Sequence, residues 1–183
     1  MLAAALHRAG LLDRMQYEYV QFCRRSGIER ANAARRLPVA TGTADVVYTC
    51  HMFEHLDRDD ARRFLAEAHR ALCPGGVLRI AVPNIQHMID EYARTGDADR
   101  LLHDSMLGKR RARTVRERIA LALFGDPGHK WMYDARSMVR LLTEAGFAEA
   151  AAVPPGVTSI ADPDMLDLRE REGETLYVEA RRP

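Results

Sequence analysis

The chain has 183 residues, enough for one domain with a substantial core. Hydrophobic residues make up 47% and charged residues 29%, a globular balance, and 27 Lys plus Arg face 26 Asp plus Glu. The resulting net charge of +1 carries no basic excess, so no nucleic-acid partner is expected.

Cys23, Cys50 and Cys73 are an odd count at wide spacing, which fits a reducing cytoplasm and offers no paired zinc motif. No apolar run approaches a membrane span. The opening residues carry His7 and Arg8 inside an apolar stretch, with no basic residue before it, and read as an amphipathic helix instead of a signal peptide.

In chain order, Leu12, Met15, Tyr19, Phe22 and Cys23 recur at helical spacing, closed by Ser26 and Gly27. Residues 28–36 are compatible with an irregular strand or a loop. Asp45 to Cys50 is a short, β-branched run that predicts a buried strand. Asp57 or Asp59 then caps a helix with Phe64, Leu65, Ala68 and Leu72 on one face. Pro74, Gly75 and Gly76 break it, and Val77 to Val82 predicts a second strand. Strand, helix and strand with short links form a βαβ unit, which predicts parallel pairing and a right-handed crossover.

Beyond it, Asn84 caps a helix with Ile85, Met88, Ile89 and Tyr92 inward. A further helix carries Val115, Ile119, Ala122 and Leu123, and Asp134 caps another with Met138, Leu141, Leu142 and Ala145. Phe147–Val153 and Thr175–Ala180 are strand candidates around a long polar loop, 154–173.

Within this frame, Leu37 to Asn84 resembles the type 11 group of class I S-adenosylmethionine-dependent methyltransferases. The resemblance rests on the acidic-His-Leu signature Glu54-His55-Leu56 after a strand and on the Cys-Pro-Gly-Gly turn at 73–76. It continues through the late region His129 to Asp134 and the closing strand from Glu174 to Ala180. The resemblance implies a single domain over 1–183, with residues 1–27 as an amino-terminal helix and 37–183 as the matching core. The implied fold is α/β, a truncated Rossmann-like methyltransferase sheet, mostly parallel with an antiparallel carboxyl-terminal strand.

Family members hold the cofactor with a glycine-rich loop after the first strand and an acidic residue ending the second. None of the twelve glycines here forms a Gly-x-Gly, and the acidic residue that the resemblance places just before Leu37 is replaced by residues 32–36. The stretch before Leu37 aligns with the family's second helix and third strand, so its first two strands would precede Met1. A sheet without them exposes an edge, and a homodimer or a partner subunit covering that edge is expected.

His51, Glu54 and His55 spell HxxEH, the pattern of one metalloprotease group. That chemistry needs a helix to bring both histidines to one zinc. A strand runs into the motif here, and the resemblance accounts for Glu54 and His55 without one, so no metal is expected. The carboxyl end of the Asp45–Cys50 strand is the expected site, because ligands of open α/β sheets sit there. Cys50, His51 and Met52 are the candidate cofactor contacts, here for S-adenosylmethionine. His51, His55 and His129 are candidate catalytic bases, since imidazole titrates near neutrality. Local packing competes as an explanation for Cys50 and His55.

Trp131 and Tyr133 are candidate substrate contacts, and anchoring of the loop by Trp131 is the competing explanation. The basic run from Lys109 to Arg113, with Arg116 and Arg118, reads as the solvated face of a helix. Two functions stay open. One is a methyltransferase-like enzyme acting on a small-molecule acceptor with a degenerate cofactor site. The other is a repurposed or inactive methyltransferase fold serving as a binding or scaffold subunit, or catalysing a different reaction.

Overall fold

A computed structural model describes residues 2–28, 31–107, 114–124 and 128–183. Its elements in chain order are α1 (Leu2–Arg8), α2 (Arg14–Arg25), β1 (Ala44–Cys50), a 3₁₀ turn (Phe53–His55) and α3 (Arg58–Ala71). They continue with β2 (Leu72–Pro83), α4 (Ile85–Thr95), α5 (Ala98–Ser105), α6 (Val115–Phe124), α7 (Ala135–Glu144), β3 (Ala148–Val153) and β4 (Thr175–Arg181). The chain divides into two compact units, residues 1–31 with 109–127, and residues 32–108 with 128–183.

In the smaller unit, Asp13 begins α2 with a reciprocal cap. Its carboxylate accepts from the Gln16 amide, and the Gln16 side chain accepts from the Asp13 amide. His7 stacks on Tyr17 with ring centroids 4.8 Å apart, and Arg116 on α6 lies 3.6 Å from Asp13. Met15, Tyr19 and Phe22, the apolar spacing that predicts α2, are exposed. The basic run 109–113 lies outside the described residues, while Arg116 and Arg118 stand exposed on α6.

The larger unit is built on a four-stranded sheet of order β1-β2-β4-β3. β1 and β2 are parallel, and β4 runs antiparallel to both β2 and β3. Three strands therefore share one direction and the carboxyl-terminal strand opposes them, as the family resemblance implies. Residues 33–35 form a turn, so among its described residues the 28–36 stretch contributes no strand.

Alternation along β2 and β4 divides the sheet into two faces. Leu78, Ile80 and Val82, with Leu176, Val178 and Ala180, pack on Phe64, Leu65 and Ala68 of α3 and on Met138, Leu141 and Leu142 of α7. Each such side chain removed from water contributes roughly 1.5–3 kcal/mol. The caps are those that the sequence predicts. Asp57 accepts from the amides of Asp59 and Asp60, Asn84 from Gln86, and Asp134 from Ser137.

The opposite face carries Arg79 and Glu179, and the 154–173 loop covers them. Arg79 Nη1 donates to Glu179 Oε1 at 2.6 Å and to the Val157 carbonyl at 2.9 Å. Glu179 also accepts from the Thr158 hydroxyl at 2.6 Å and the Ser159 amide at 2.7 Å. The Tyr177 hydroxyl donates to the Glu170 carbonyl and the Tyr48 hydroxyl to that of Asp167. Polar anchors thus replace a second helical layer here.

β2 begins five residues earlier than the Val77 start that the pattern predicts. Leu72 already pairs with Ala44, and the register slips before Val46 pairs with Val77. The intervening turn forces the chain against its neighbour. A β-carbon on Gly76 would lie 2.9 Å from the Cys73 carbonyl oxygen and 3.1 Å from those of Ala44 and Asp45, so only glycine fits.

Candidate active site

β1 ends at Cys50, and the chain turns sharply at His51, whose φ is 48°. This left-handed conformation is costly for a residue with a β-carbon and concentrates at functional sites. It is held by the His51 amide donating to the Ala81 carbonyl at 2.9 Å and by His51 Nε2 lying 3.3 Å from the Thr175 hydroxyl. The 3₁₀ turn follows and buries Phe53 in the core, which pins Glu54 beside it.

Glu54 is the residue around which the site is built. It is 1% exposed, and neither carboxylate oxygen has a hydrogen-bond partner. Three imidazoles surround Oε1: His51 Nδ1 at 3.4 Å, His129 Nε2 at 3.9 Å and His55 Nε2 at 4.0 Å. The His51 contact is short but not aligned as a hydrogen bond, since His51 Nδ1 is also without a partner. His129 arrives from a remote segment that the Glu54 backbone itself recruits. Its carbonyl accepts the amides of Lys130 at 2.8 Å and Trp131 at 3.2 Å.

The other ring nitrogens are committed. His55 Nδ1 lies 3.2 Å from the Gly128 carbonyl and His129 Nδ1 2.8 Å from the Ser105 carbonyl. Carbonyls only accept, so both Nδ1 atoms carry a proton and both Nε2 atoms face Glu54. Burial pulls the His129 pKa down, against the opposing effects of the Ser105 carbonyl and Glu54. Burial thus favours the neutral imidazole at His129.

A cavity of about 460 Å³ opens beside this cluster, at the carboxyl ends of β1 and β2. His51 and His129 line it together with Pro83, His87, Tyr92 and Glu174. Arg100 reaches its wall and is shared between Glu91 at 3.7 Å and Asp104 at 3.4 Å. The volume is that of a small-molecule site.

The structure unites the three candidate bases around one carboxylate but separates the other candidates. Cys50 is half-buried and does not line the cavity, and burial pushes its thiol pKa up, which makes it a poor nucleophile at neutral pH. Met52 packs against the core cluster. Tyr133 is fully buried against Phe53, ring centroids 5.2 Å apart, and its hydroxyl has no partner. Trp131 is 44% exposed with the Arg58 guanidinium 5.0 Å over its ring. Glu54 is the site residue that sequence reasoning passed over. Its signal is its place in both HxxEH and the Glu54-His55-Leu56 signature.

Residues 6–80, under half of the chain, match the methyltransferase domain family. Of solved structures, a S-adenosylmethionine-dependent methyltransferase from Thermotoga maritima, described as a possible histamine N-methyltransferase, is similar over 92% of this chain and 70% of its own. The TM-score is 0.53 at 16% identity. The chain has the class I methyltransferase fold. A S-adenosylmethionine-dependent methyltransferase from Mesorhizobium loti matches over 84% of this chain and 68% of its own, with 19% identity and a TM-score of 0.46. A putative methyltransferase of Haloferax volcanii, solved with its Trm112 activator, matches over 82% and 58% respectively, with 16% identity and a TM-score of 0.46. No curated protein matches the chain.

A methyltransferase fold implies S-adenosylmethionine. Among the described residues no helix is long and apolar enough to cross a membrane.

Proposed function

We infer that this is a methyltransferase-like protein acting on a small-molecule acceptor, with a cofactor site that is degenerate within these residues. One observation carries the reading. A cavity of about 460 Å³ lies at the carboxyl ends of β1 and β2 in a methyltransferase fold, with two imidazoles on its wall. In its neutral form His129 takes a proton from an acceptor in the cavity, while Glu54 behind it stabilises the imidazolium that forms. His51 orients the acceptor from the strained end of β1. His55 stays behind the other two.

β1 pairs only with β2 among the described strands, and its outer edge is open. A second copy or a partner subunit against that edge belongs to the same proposal, and light scattering at micromolar concentration tests it. The three free cysteines favour a reducing, cytoplasmic setting.

The deciding experiment is calorimetric titration of the protein with S-adenosylhomocysteine and S-adenosylmethionine. Micromolar binding supports the reading. No heat at millimolar ligand sinks it and leaves a fold repurposed for binding or for other chemistry.

A further inference from the structure

No hydrogen bond holds the Glu54 cluster together. Glu54 is 1% exposed, both its side-chain oxygens are unpartnered, and the Nε2 atoms of two imidazoles face it at 3.9 and 4.0 Å. Buried polar groups are found hydrogen-bonded, paired or bound to metal. Among the described residues, no Lys or Arg side chain pairs with Glu54.

We propose that Glu54, His55 and His129 bind one divalent first-row transition-metal ion, of the Zn²⁺ or Fe²⁺ type. Three observations converge. The ligand atoms of these residues all lie within 4.8 Å of one another. Bonds of about 2.0–2.2 Å in a tetrahedral zinc site put ligand atoms about 3.4 Å apart, so the 3.9 and 4.0 Å separations close with shifts of about half an ångström. Both histidines donate Nδ1–H to a backbone carbonyl, the outer-sphere pattern that fixes the tautomer and aims Nε2 at a metal.

Two imidazoles and one carboxylate form a donor set for zinc or non-haem iron, and not for Ca²⁺ or Mg²⁺, which take oxygen ligands. Three protein ligands also leave a position open, as in catalytic sites. His129 lines the cavity, and His51 Nδ1 stands 3.4 Å from the same Glu54 oxygen on the cavity wall, so the open position is accessible to a small molecule. The zinc motif read from sequence used His51 and His55 on one helix. The structure instead replaces His51 with His129, 74 residues from His55.

This inference competes with the methyl-transfer reading for His129, since a metal-bound Nε2 leaves that ring no nitrogen to take a proton, and metal uptake is read without any cofactor. The full chain is stripped with chelator and titrated with Zn²⁺, anaerobic Fe²⁺ and Co²⁺ by calorimetry, with metal content measured by mass spectrometry after dialysis. One ion per chain is expected for the wild type, with a rise in melting temperature. Glu54→Gln, His55→Gln and His129→Gln each weaken binding by more than about 100-fold, beyond the 10–100-fold loss typical of an outer-sphere partner. His87→Gln, on the cavity wall but outside the cluster, keeps wild-type affinity. Circular dichroism of the metal-free variants reports folding, and if Glu54→Gln does not fold, the two histidine variants decide. Absence of stoichiometric uptake by the wild type overturns the proposal, and so does unchanged affinity in the folded variants.

Discussion

Replacing Glu179 with alanine tests the account of the second sheet face. Arg79 is 0% exposed, its Nε already lacks a partner, and Nη1 relies on Glu179 at 2.6 Å and the Val157 carbonyl at 2.9 Å. Truncating the carboxylate leaves a buried guanidinium with backbone carbonyls as its remaining partners, and takes the acceptor from the Thr158 hydroxyl and the Ser159 amide. Breaking one partner of a buried pair costs about 3–5 kcal/mol, because the survivor is uncompensated. In a chain of this size that lowers the melting temperature by roughly 6–20 °C. The double variant Arg79→Met with Glu179→Leu should recover most of the loss, since no orphaned charge remains and exposed Ser159 turns to water. Equilibrium urea unfolding of the three proteins measures both quantities. A loss below about 1 kcal/mol for Glu179→Ala, or a double variant as unstable as the single, refutes the pairing argument.

Burial pushes the Glu179 pKa up, but the Thr158 hydroxyl, the Ser159 amide and Arg79 together hold it below the usual value. A depressed folded pKa contributes stability that is present above the unfolded value of about 4.3 and is lost as pH falls through the folded one. The stability gap between wild type and Glu179→Gln should therefore be level near neutrality and shrink below about pH 4, measured by urea midpoints across pH. Gly76→Ala should destabilise by about 1–3 kcal/mol, because its β-carbon meets three carbonyl oxygens at 2.9–3.1 Å, and a thermal melt reads the cost. Tyr133→Phe should be neutral or stabilising by up to about 1 kcal/mol, since the removed hydroxyl is buried without a partner. His51→Gly should match or exceed wild-type stability by relieving φ 48°, whereas His51→Ala should fall about 1 kcal/mol below the glycine variant in the same melt.

The sheet was legible because its evidence is local. Asp45–Cys50 and Val77–Val82 are short β-branched runs, Asp57, Asn84 and Asp134 are caps, and each of these features acts within a few residues of itself. The second face was not legible. Arg79 and Glu179 sit inside apolar strands a hundred residues apart, and neither position alone reveals that the other charge waits across the ladder. α5 escaped notice for a similar reason, since its one buried residue is Ser105, which gives no apolar stripe.

The site divides in the same way. His51, His55 and His129 were each picked from sequence as imidazoles near strand ends or in a loop before a helix. Their common centre was missed because it is a carboxylate whose role depends on burial, and Phe53 supplies that burial by entering the core one residue earlier. The backbone of Glu54 then does what its side chain cannot. Its carbonyl takes the Lys130 and Trp131 amides and so fixes His129 at 3.9 Å from the carboxylate of the same residue. One residue thereby positions its own partner through the main chain and meets it through the side chain. A substitution at 54 that keeps the backbone, such as Glu54→Gln, should leave His129 in place and remove only the charge. That makes it the cleanest probe of whether the cluster is held together by a cation or by packing.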